Sequence, residues 1–459
     1  VATGAVEGAL GAAPHAGGYA SRRDALVAAL RARGPGPIRL RKDTSNLFRD
    51  RAKAAGSALD ARAFDHVLAV DPAAGFVDAE GLTTYEALVA GTLAHGVMPA
   101  VVPELKTITL GGAAAGVGIE ASSFRHGLVH ETLEEIDVLT GTGEIVTCRR
   151  DNAHADLFYG FPNSYGTLGY ALRLRARTVP TRPYVAITRA RYDDADRFFH
   201  ALAKSCAGDA DFVDGVAFGP GELYLNEGRF VGTAPYASDY TYERVFYRSV
   251  RERTEDYLTV HDFIWRWDTD WFWCSKNVGA QNPLLRRLFG RDRLGSRTYQ
   301  KLMRWNSRWN LTGRIDRWRH GHVESVIQDV DLPLARAADF LRFFQREVPI
   351  APVWICPLRT GPDADRFVLY PTQPGALFVN FGFWDVVRTR EAHERGHFNR
   401  RVEATVAELR GIKSLYSDSY YTRETFEATY GGAAYRALKQ RYDPEGAFPR
   451  LYEKCVLKH

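Results

Sequence analysis

Residues 103–127, PELKTITLGGAAAGVGIEASSFRHG, decide how the chain is read. They hold Gly111, Gly112, Gly116, Gly118 and Gly127, with alanines between them and Thr109, Ser122 and Ser123 at the edges. Glycine costs chain entropy, so a cluster of it implies positive φ or a partner pressed against the main chain. Exposed N–H groups in such a run cradle an anion such as a pyrophosphate. Two nucleotide motifs are excluded: no G-x-G-x-x-G joins an apolar strand to a helix, and no Gly-Lys-Ser/Thr follows as in a P-loop. On glycine count alone, a Gly/Ala-rich turn in a sheet protein reads equally well.

Outward from this stretch, the flanks read as sheet and helix. Residues 21–33 have helical periodicity, Ile38 and Leu40 begin a short strand, and 43–46 form a polar turn. Residues 66–70 and 75–78 read as two strands around a turn, and 84–95 as a helix capped by Thr83 or Thr84. Downstream, 134–139 and 144–148 flank Thr140-Gly141-Thr142-Gly143, a hairpin signal. Residues 171–179 alternate apolar and basic side chains, a strand that closes a first domain near Pro180. Beyond it, 194–207, 334–347 and 393–410 read as helices, and 211–218, 222–233, 323–330, 353–358 and 378–383 as strands of an α+β domain. The tail from Ser414 is polar and Tyr-rich.

Seven of the nine tryptophans fall in 254–322, and between Pro283 and His322 eleven Arg/Lys face two Asp. Interleaved rings and cations suit a membrane surface; the alternative is an Arg/Trp surface snorkelling over a core helix. At 459 residues the chain has room for two or three domains. Five dispersed cysteines make neither a disulfide framework nor a zinc site and fit a reducing compartment, and no metal site is expected. No run is apolar enough to span a bilayer, and no signal peptide is evident.

The glycine stretch, the downstream DLFYGFPNSYGTLGY and the order strand, helix, glycine loop, hairpin together resemble the FAD-binding domain of the PCMH-type, or vanillyl-alcohol oxidase, superfamily. WICPLR, NPLLRRLFG, VIQDVDLP, SLYSDSYYTRETF and AFPRLYEKC are similar to its delta-24-sterol reductase branch, with SNLFR and GFPNSYGTLGY closer to actinobacterial methylene-fatty-acyl phospholipid reductases. The resemblance implies an α+β fold: a two-subdomain PCMH-type FAD-binding domain over 1–182, a substrate or cap domain with an antiparallel sheet over 183–413, and a segment 414–459 returning to the FAD domain. It implies non-covalent FAD, because the first loop offers Lys42, Asp43, Thr44, Ser45 and Asn46 with no His or Cys. The implied cofactor residues are Lys42, Thr44, Ser45 and Asn46; Thr109, Leu110, Gly111, Gly112, Gly116, Gly118, Ile119 and Glu120; Ser122, Ser123 and Gly127; and Gly166, Thr167 and Gly169. Main-chain N–H groups of Gly111, Gly112, Gly116 and Gly118 would wrap the pyrophosphate.

The implied activity is an NADPH-linked reduction of a carbon–carbon double bond in a lipid, foremost the methylene of a 10-methylene fatty acyl phospholipid. The alternatives are a sterol side-chain alkene, oxidation of an alcohol or sugar-lipid, and a lipid-binding flavoprotein without turnover. An isolated alkene needs a positioned acid in a water-poor pocket. Tyr416, Asp418, Tyr420 and Glu324 are the expected acids, with His322 behind them; the first three share a face if SLYSDSYY is extended. Arg359 and Lys413 are candidates to hold an anionic headgroup or the NADPH phosphate, or are plain surface charges. With no separate fold for NADPH, it would share the flavin pocket with the lipid in turn. The expected location is cytoplasmic, peripheral at the inner membrane face through 254–322, with a methyltransferase as a candidate partner and no nucleic acid.

Overall fold

In the computed structural model, which describes residues 18–33, 36–43, 58–242, 244–278, 281–298, 301 and 322–458, the fold is α+β, with two antiparallel sheets on either side of a break between Pro180 and Tyr184. The six-stranded sheet runs Val67–Asp71, Phe76–Glu80, Tyr170–Pro180, Leu133–Leu139, Ile145–Arg149, and Val97–Pro99 pairs with the carboxyl end of Tyr170–Pro180. That central strand explains the apolar–basic alternation. Leu172, Leu174 and Ala176 enter the core. Between them Arg173 reaches Asp78 at 2.8 Å and Asp137 at 2.9 Å, and Arg175 reaches Asp78 at 2.6 Å, on the neighbouring strands.

The second sheet has eight strands in the order Glu255–Thr259, Tyr184–Tyr192, Glu222–Val231, Phe212–Gly219, Val353–Arg359, Leu377–Thr389, His322–Pro333, Ile412–Lys413, every pair antiparallel. Period-two alternation assigns its faces. Val326, Val330, Leu332, Phe381 and Phe383 pack beneath the helices Ala195–Cys206 and Leu334–Glu347 against Phe198, Leu202, Phe340 and Phe344. The intervening residues Asp329, Asp331, Asn380 and Trp384 face the other way, toward the first sheet's half of the molecule. The tail adds the helices Arg423–Thr429, Gly432–Tyr442 and Leu451–Cys455. It packs on the first half: the Lys439 ammonium donates to the Thr167 carbonyl at 3.1 Å and the Tyr442 hydroxyl to Asp156 at 2.7 Å.

Four of the seven tryptophans in 254–322 do not stand on a surface. Trp265, Trp267, Trp271 and Trp273 are buried. Trp267 stacks on Phe272 at 5.2 Å and meets Trp273 edge-on at 5.9 Å. Rings of this size stabilise most when removed from water together. Trp305, Trp309 and Trp318 lie outside the described residues. Among the described residues no helix is long and apolar enough to cross a membrane.

Candidate active site

Residues 103–127 do not remain a loop. Thr109 caps a short helix, Leu110–Ala115, its hydroxyl accepting from the Gly112 N–H at 3.1 Å. The Gly111 N–H donates to the Gly81 carbonyl at 3.0 Å, and those of Gly116 and Gly118 donate to the Ala113 carbonyl at 3.3 and 3.0 Å. All four glycine N–H groups expected to wrap a pyrophosphate therefore already serve protein acceptors. Gly111 and Gly112 lie in the first turn, whose N–H groups a helix leaves free; the Gly81 carbonyl and the Thr109 cap take them, and Gly116 and Gly118 close the carboxyl end on Ala113.

What the glycines supply is space, and they divide by what a Cβ would meet. At Gly118 it would lie 2.7 Å from Pro103 and 3.1 Å from Val129, so that glycine serves internal packing. At Gly112 it would meet only the Thr109 hydroxyl, at 2.9 Å. Gly112 borders a cavity of about 860 Å³ together with Lys42, Thr109, Gly111, Gly116, Gly118, Ile119, Gly166 and Gly169.

The other expected cofactor residues lie elsewhere or engage other partners. Leu110 is core. The Ser122 hydroxyl donates to the Ala100 carbonyl at 2.7 Å, and Ser123 accepts from the Glu120 N–H at 3.2 Å. Thr167 donates to the Ser164 carbonyl at 2.8 Å, and Gly127 makes a left-handed turn, φ 77°, against Glu131. Thr44, Ser45 and Asn46 lie outside the described residues.

Glu120 belongs to a buried charge cluster. Arg266 contacts Glu120 at 2.6 Å, Asp214 at 2.9 Å and Glu104 at 3.5 Å. Burial pushes the Glu104 and Glu120 carboxyls up, and Arg266 opposes it. One guanidinium thus ties the glycine segment to the second sheet, beside the cavity that Glu104 lines.

The cavity's far wall comes from the second sheet and the tail: Trp271, Phe272, Asp329, Asp331, Trp354, Tyr370, Asn380, Trp384 and Tyr416. Trp271, Phe272 and Trp273 are successive residues with φ of 54°, 48° and 56°, a left-handed turn of bulky side chains. Asp331 accepts from the Tyr370 hydroxyl at 2.7 Å and the Asn380 amide at 2.6 Å. Burial raises its carboxyl to about 6, against those two hydrogen bonds.

Asp329 is the less satisfied of the two. Its Oδ1 is buried without a hydrogen-bond partner. Burial raises the carboxyl to about 7, and a hydrogen bond from Tyr416 pulls the other way. The Tyr416 hydroxyl also accepts from the Trp384 indole N–H at 2.8 Å. Gly382, opposite Asp329 in the sheet, leaves the room: a Cβ there would stand 2.8 Å from Asp329 Oδ1.

Of the expected acids, only Tyr416 lines the cavity. Residues 415–417 form a turn rather than a strand, so the shared face with Asp418 and Tyr420 does not exist. Asp418 pairs with Lys458 at 2.8 Å. The Tyr420 ring packs against Gly396, and burial raises its hydroxyl to about 12. Glu324 accepts from the Asn399 N–H at 2.9 Å and lies 2.9 Å from His322. Lys413 is buried against Glu403 at 2.7 Å, no headgroup ligand, and Arg359 is exposed at a strand end. The sequence reading missed Asp329 and Asp331. Their signal was present: two carboxylates at i and i+2 in VIQDVDLP fall on one face of a strand whose other face carries Val326, Gln328, Val330 and Leu332.

Residues 19–149 match the family described as FAD binding domain. The chain carries an FAD-binding domain of the PCMH type, and it is an FAD-dependent oxidoreductase. It is 27% identical over 414 residues to the Delta(24)-sterol reductase of Homo sapiens, covering 84% of this chain and 75% of that protein. The Arabidopsis thaliana protein of the same name is 25% identical over 394 residues, 77% and 68% of the two chains. Cytokinin dehydrogenase 7 of Oryza sativa subsp. japonica is 35% identical over 148 residues, 31% of this chain and 28% of that one. The cavity fits the cofactor: a deep cleft between sheets, with the bare Gly112 and the small residues of the glycine segment on one wall and rings on the other.

Proposed function

We propose that this chain reduces a carbon–carbon double bond in a lipid, taking electrons from NADPH, and that the substrate is the methylene of a 10-methylene fatty acyl phospholipid, which becomes 10-methyl. The observation that carries this reading is Asp329: a carboxyl raised to about 7 in a cavity walled by Trp271, Phe272, Trp354 and Trp384. An isolated alkene has no carbonyl to receive electron density, so a proton must arrive before or with the hydride. A proton donor works best when its pKa lies near the operating pH, and a dry apolar wall limits quenching by water.

When bound, FAD accepts two electrons from the nicotinamide cofactor and supplies them as hydride. The protein's part is the proton. Asp329 gives it to the terminal methylene carbon, leaving positive charge on the branched carbon that hydride then neutralises. In balance, the alkene, NADPH and a proton become the methyl-branched alkane and NADP⁺. Tyr416, held by Trp384, orients the carboxyl and stabilises the carboxylate left behind. Burial pushes the Tyr416 hydroxyl well above its ordinary range, which makes it the weaker acid of the pair. The sterol relatives support a second substrate, an alkene in a sterol side chain, for which the same acid serves.

Anaerobic stopped-flow tests the reading. Enzyme reduced with NADPH is mixed with methylene-branched phospholipid, with a side-chain-unsaturated sterol, or with neither, and flavin absorbance is followed. Reoxidation by the phospholipid, with the 10-methyl product found by mass spectrometry, is the expected result. Reoxidation by the sterol alone moves the assignment to the second substrate. Failure of NADPH to bleach the flavin overturns the reductase reading.

A further inference from the structure

Of the six exposed large hydrophobic side chains among the described residues, four sit on one helix of seven residues, Pro283–Phe289. Leu284 is 73% exposed, Leu288 78%, Phe289 44% and Leu285 39%, while Arg286 of the same helix is fully buried. Arg286 donates inward to the carbonyls of Tyr242 and Thr269, fixing the helix to the body of the protein. The usual order is reversed: a surface helix ordinarily buries its leucines and exposes its arginines. An apolar face held outward by a buried cation needs a partner to cover it.

We infer that the helix Pro283–Phe289 is the element by which this protein docks on an anionic lipid bilayer, its leucines entering the acyl boundary and the surrounding arginines meeting the headgroups. Charge selects this occupant. Of the six Arg/Lys in residues 283–301, set against the single Asp292 in that segment, Arg286 is buried, Arg291 pairs with Asp239 at 2.7 Å and Arg297 pairs with Glu86, and Arg287, Arg293 and Lys301 make the exposed cationic rim around the leucines. Two copies meeting across a twofold axis would set these arginine rims against each other, whereas anionic headgroups neutralise them. The segment that follows the helix is tied to the cavity wall. The Trp271 indole donates to the Leu294 carbonyl at 3.0 Å, and the Ser296 N–H donates to Asp268 at 3.2 Å. Docking there sets the Trp271 wall of the cavity beside the membrane. The inference stands apart from the choice of substrate, and its test uses no turnover.

Purified flavin-loaded protein is sedimented with sucrose-filled vesicles of phosphatidylcholine alone or mixed with phosphatidylglycerol. Binding to the mixed vesicles is expected. Leu284→Glu with Leu288→Glu should weaken it at least about tenfold with flavin content unchanged. Arg287→Ala and Arg293→Ala should each weaken it about fivefold on mixed vesicles and leave binding to phosphatidylcholine unaltered. If the acidic pair fails to load flavin, Leu284→Ala with Leu288→Ala replaces it, since both positions are exposed. Undiminished binding by either leucine pair overturns the inference. So does a dimer in analytical ultracentrifugation that the leucine substitutions convert to monomer, since the face then covers a second copy.

Discussion

At the scale of single residues, Asp329 makes the sharpest prediction, because its environment has a sign. Burial raises its carboxyl from 3.8 to about 7. The folded chain therefore keeps a proton that the unfolded chain gives up near pH 4, and this group's contribution to stability falls as pH rises from about 4 to about 7. Asp329→Asn removes that titration. Its stability relative to the parent, from urea denaturation, should rise across the window by up to about 1.4 kcal/mol per pH unit; a flat difference would mean that Asp329 is already ionised in the fold. The same substitution should slow reoxidation by substrate by about 10²–10⁴-fold and leave reduction by NADPH unchanged. In the parent that step should slow as pH rises above about 7, as the carboxyl loses its proton. Gly112 and Gly118 make a second pair of outcomes. Gly112→Val should yield a folded, colourless protein. Gly118→Val should lose about 1–3 kcal/mol or more of stability to overpacking against Pro103 and Val129. Thermal melts beside flavin absorbance separate the two.

At the scale of elements, the seam between glycine segment and second sheet depends on Arg266. Replacing it with Met leaves Glu104, Glu120 and Asp214 buried around a missing cation, a loss of about 3–5 kcal/mol, measurable by denaturant unfolding. Elements were also where the sequence was most legible. The helix Tyr85–Leu93 with its Thr84 cap, the hairpin after Leu139 and the strand Tyr170–Pro180 all follow from local periodicity and turn chemistry. Residues 103–127 were half legible: glycine marked a close approach, but Thr109 caps a short helix there, and its hydroxyl with the Gly81 and Ala113 carbonyls takes the donors. The tail's three helices went unread because its tyrosines and polar residues carry no clear period, and their burial depends on surfaces hundreds of residues away.

At the scale of the whole molecule, the cavity exists only because three distant parts of the chain meet. Its walls come from 37–171, 271–416 and 446–458. No local pattern announces such a meeting: the carboxylate alternation in VIQDVDLP marks a face for Asp329, but nothing near it in sequence points to Tyr416 or Trp384 as its neighbours. Because the walls come from both halves, bound FAD should stabilise the assembly as one unit. The melting temperature of the loaded protein should rise with free FAD concentration, as linkage requires for a ligand bound only by the folded state. Calorimetry across an FAD series checks this; a second transition that ignores FAD would show the second sheet unfolding by itself.

The left-handed turn at Trp271–Trp273 gives the cavity two walls of unequal stiffness. Trp354 and Trp384 stand on paired strands of the eight-stranded sheet, where a shift of one ring drags the hydrogen-bonded ladder with it. Trp271 and Phe272 stand on main chain held in a conformation that costs roughly 1–2 kcal/mol per residue, so moving them releases energy already stored. A bulkier or more rigid guest will be accommodated by yielding on that side first, and selection for a new hydrocarbon shape has its easiest foothold in those two aromatic positions.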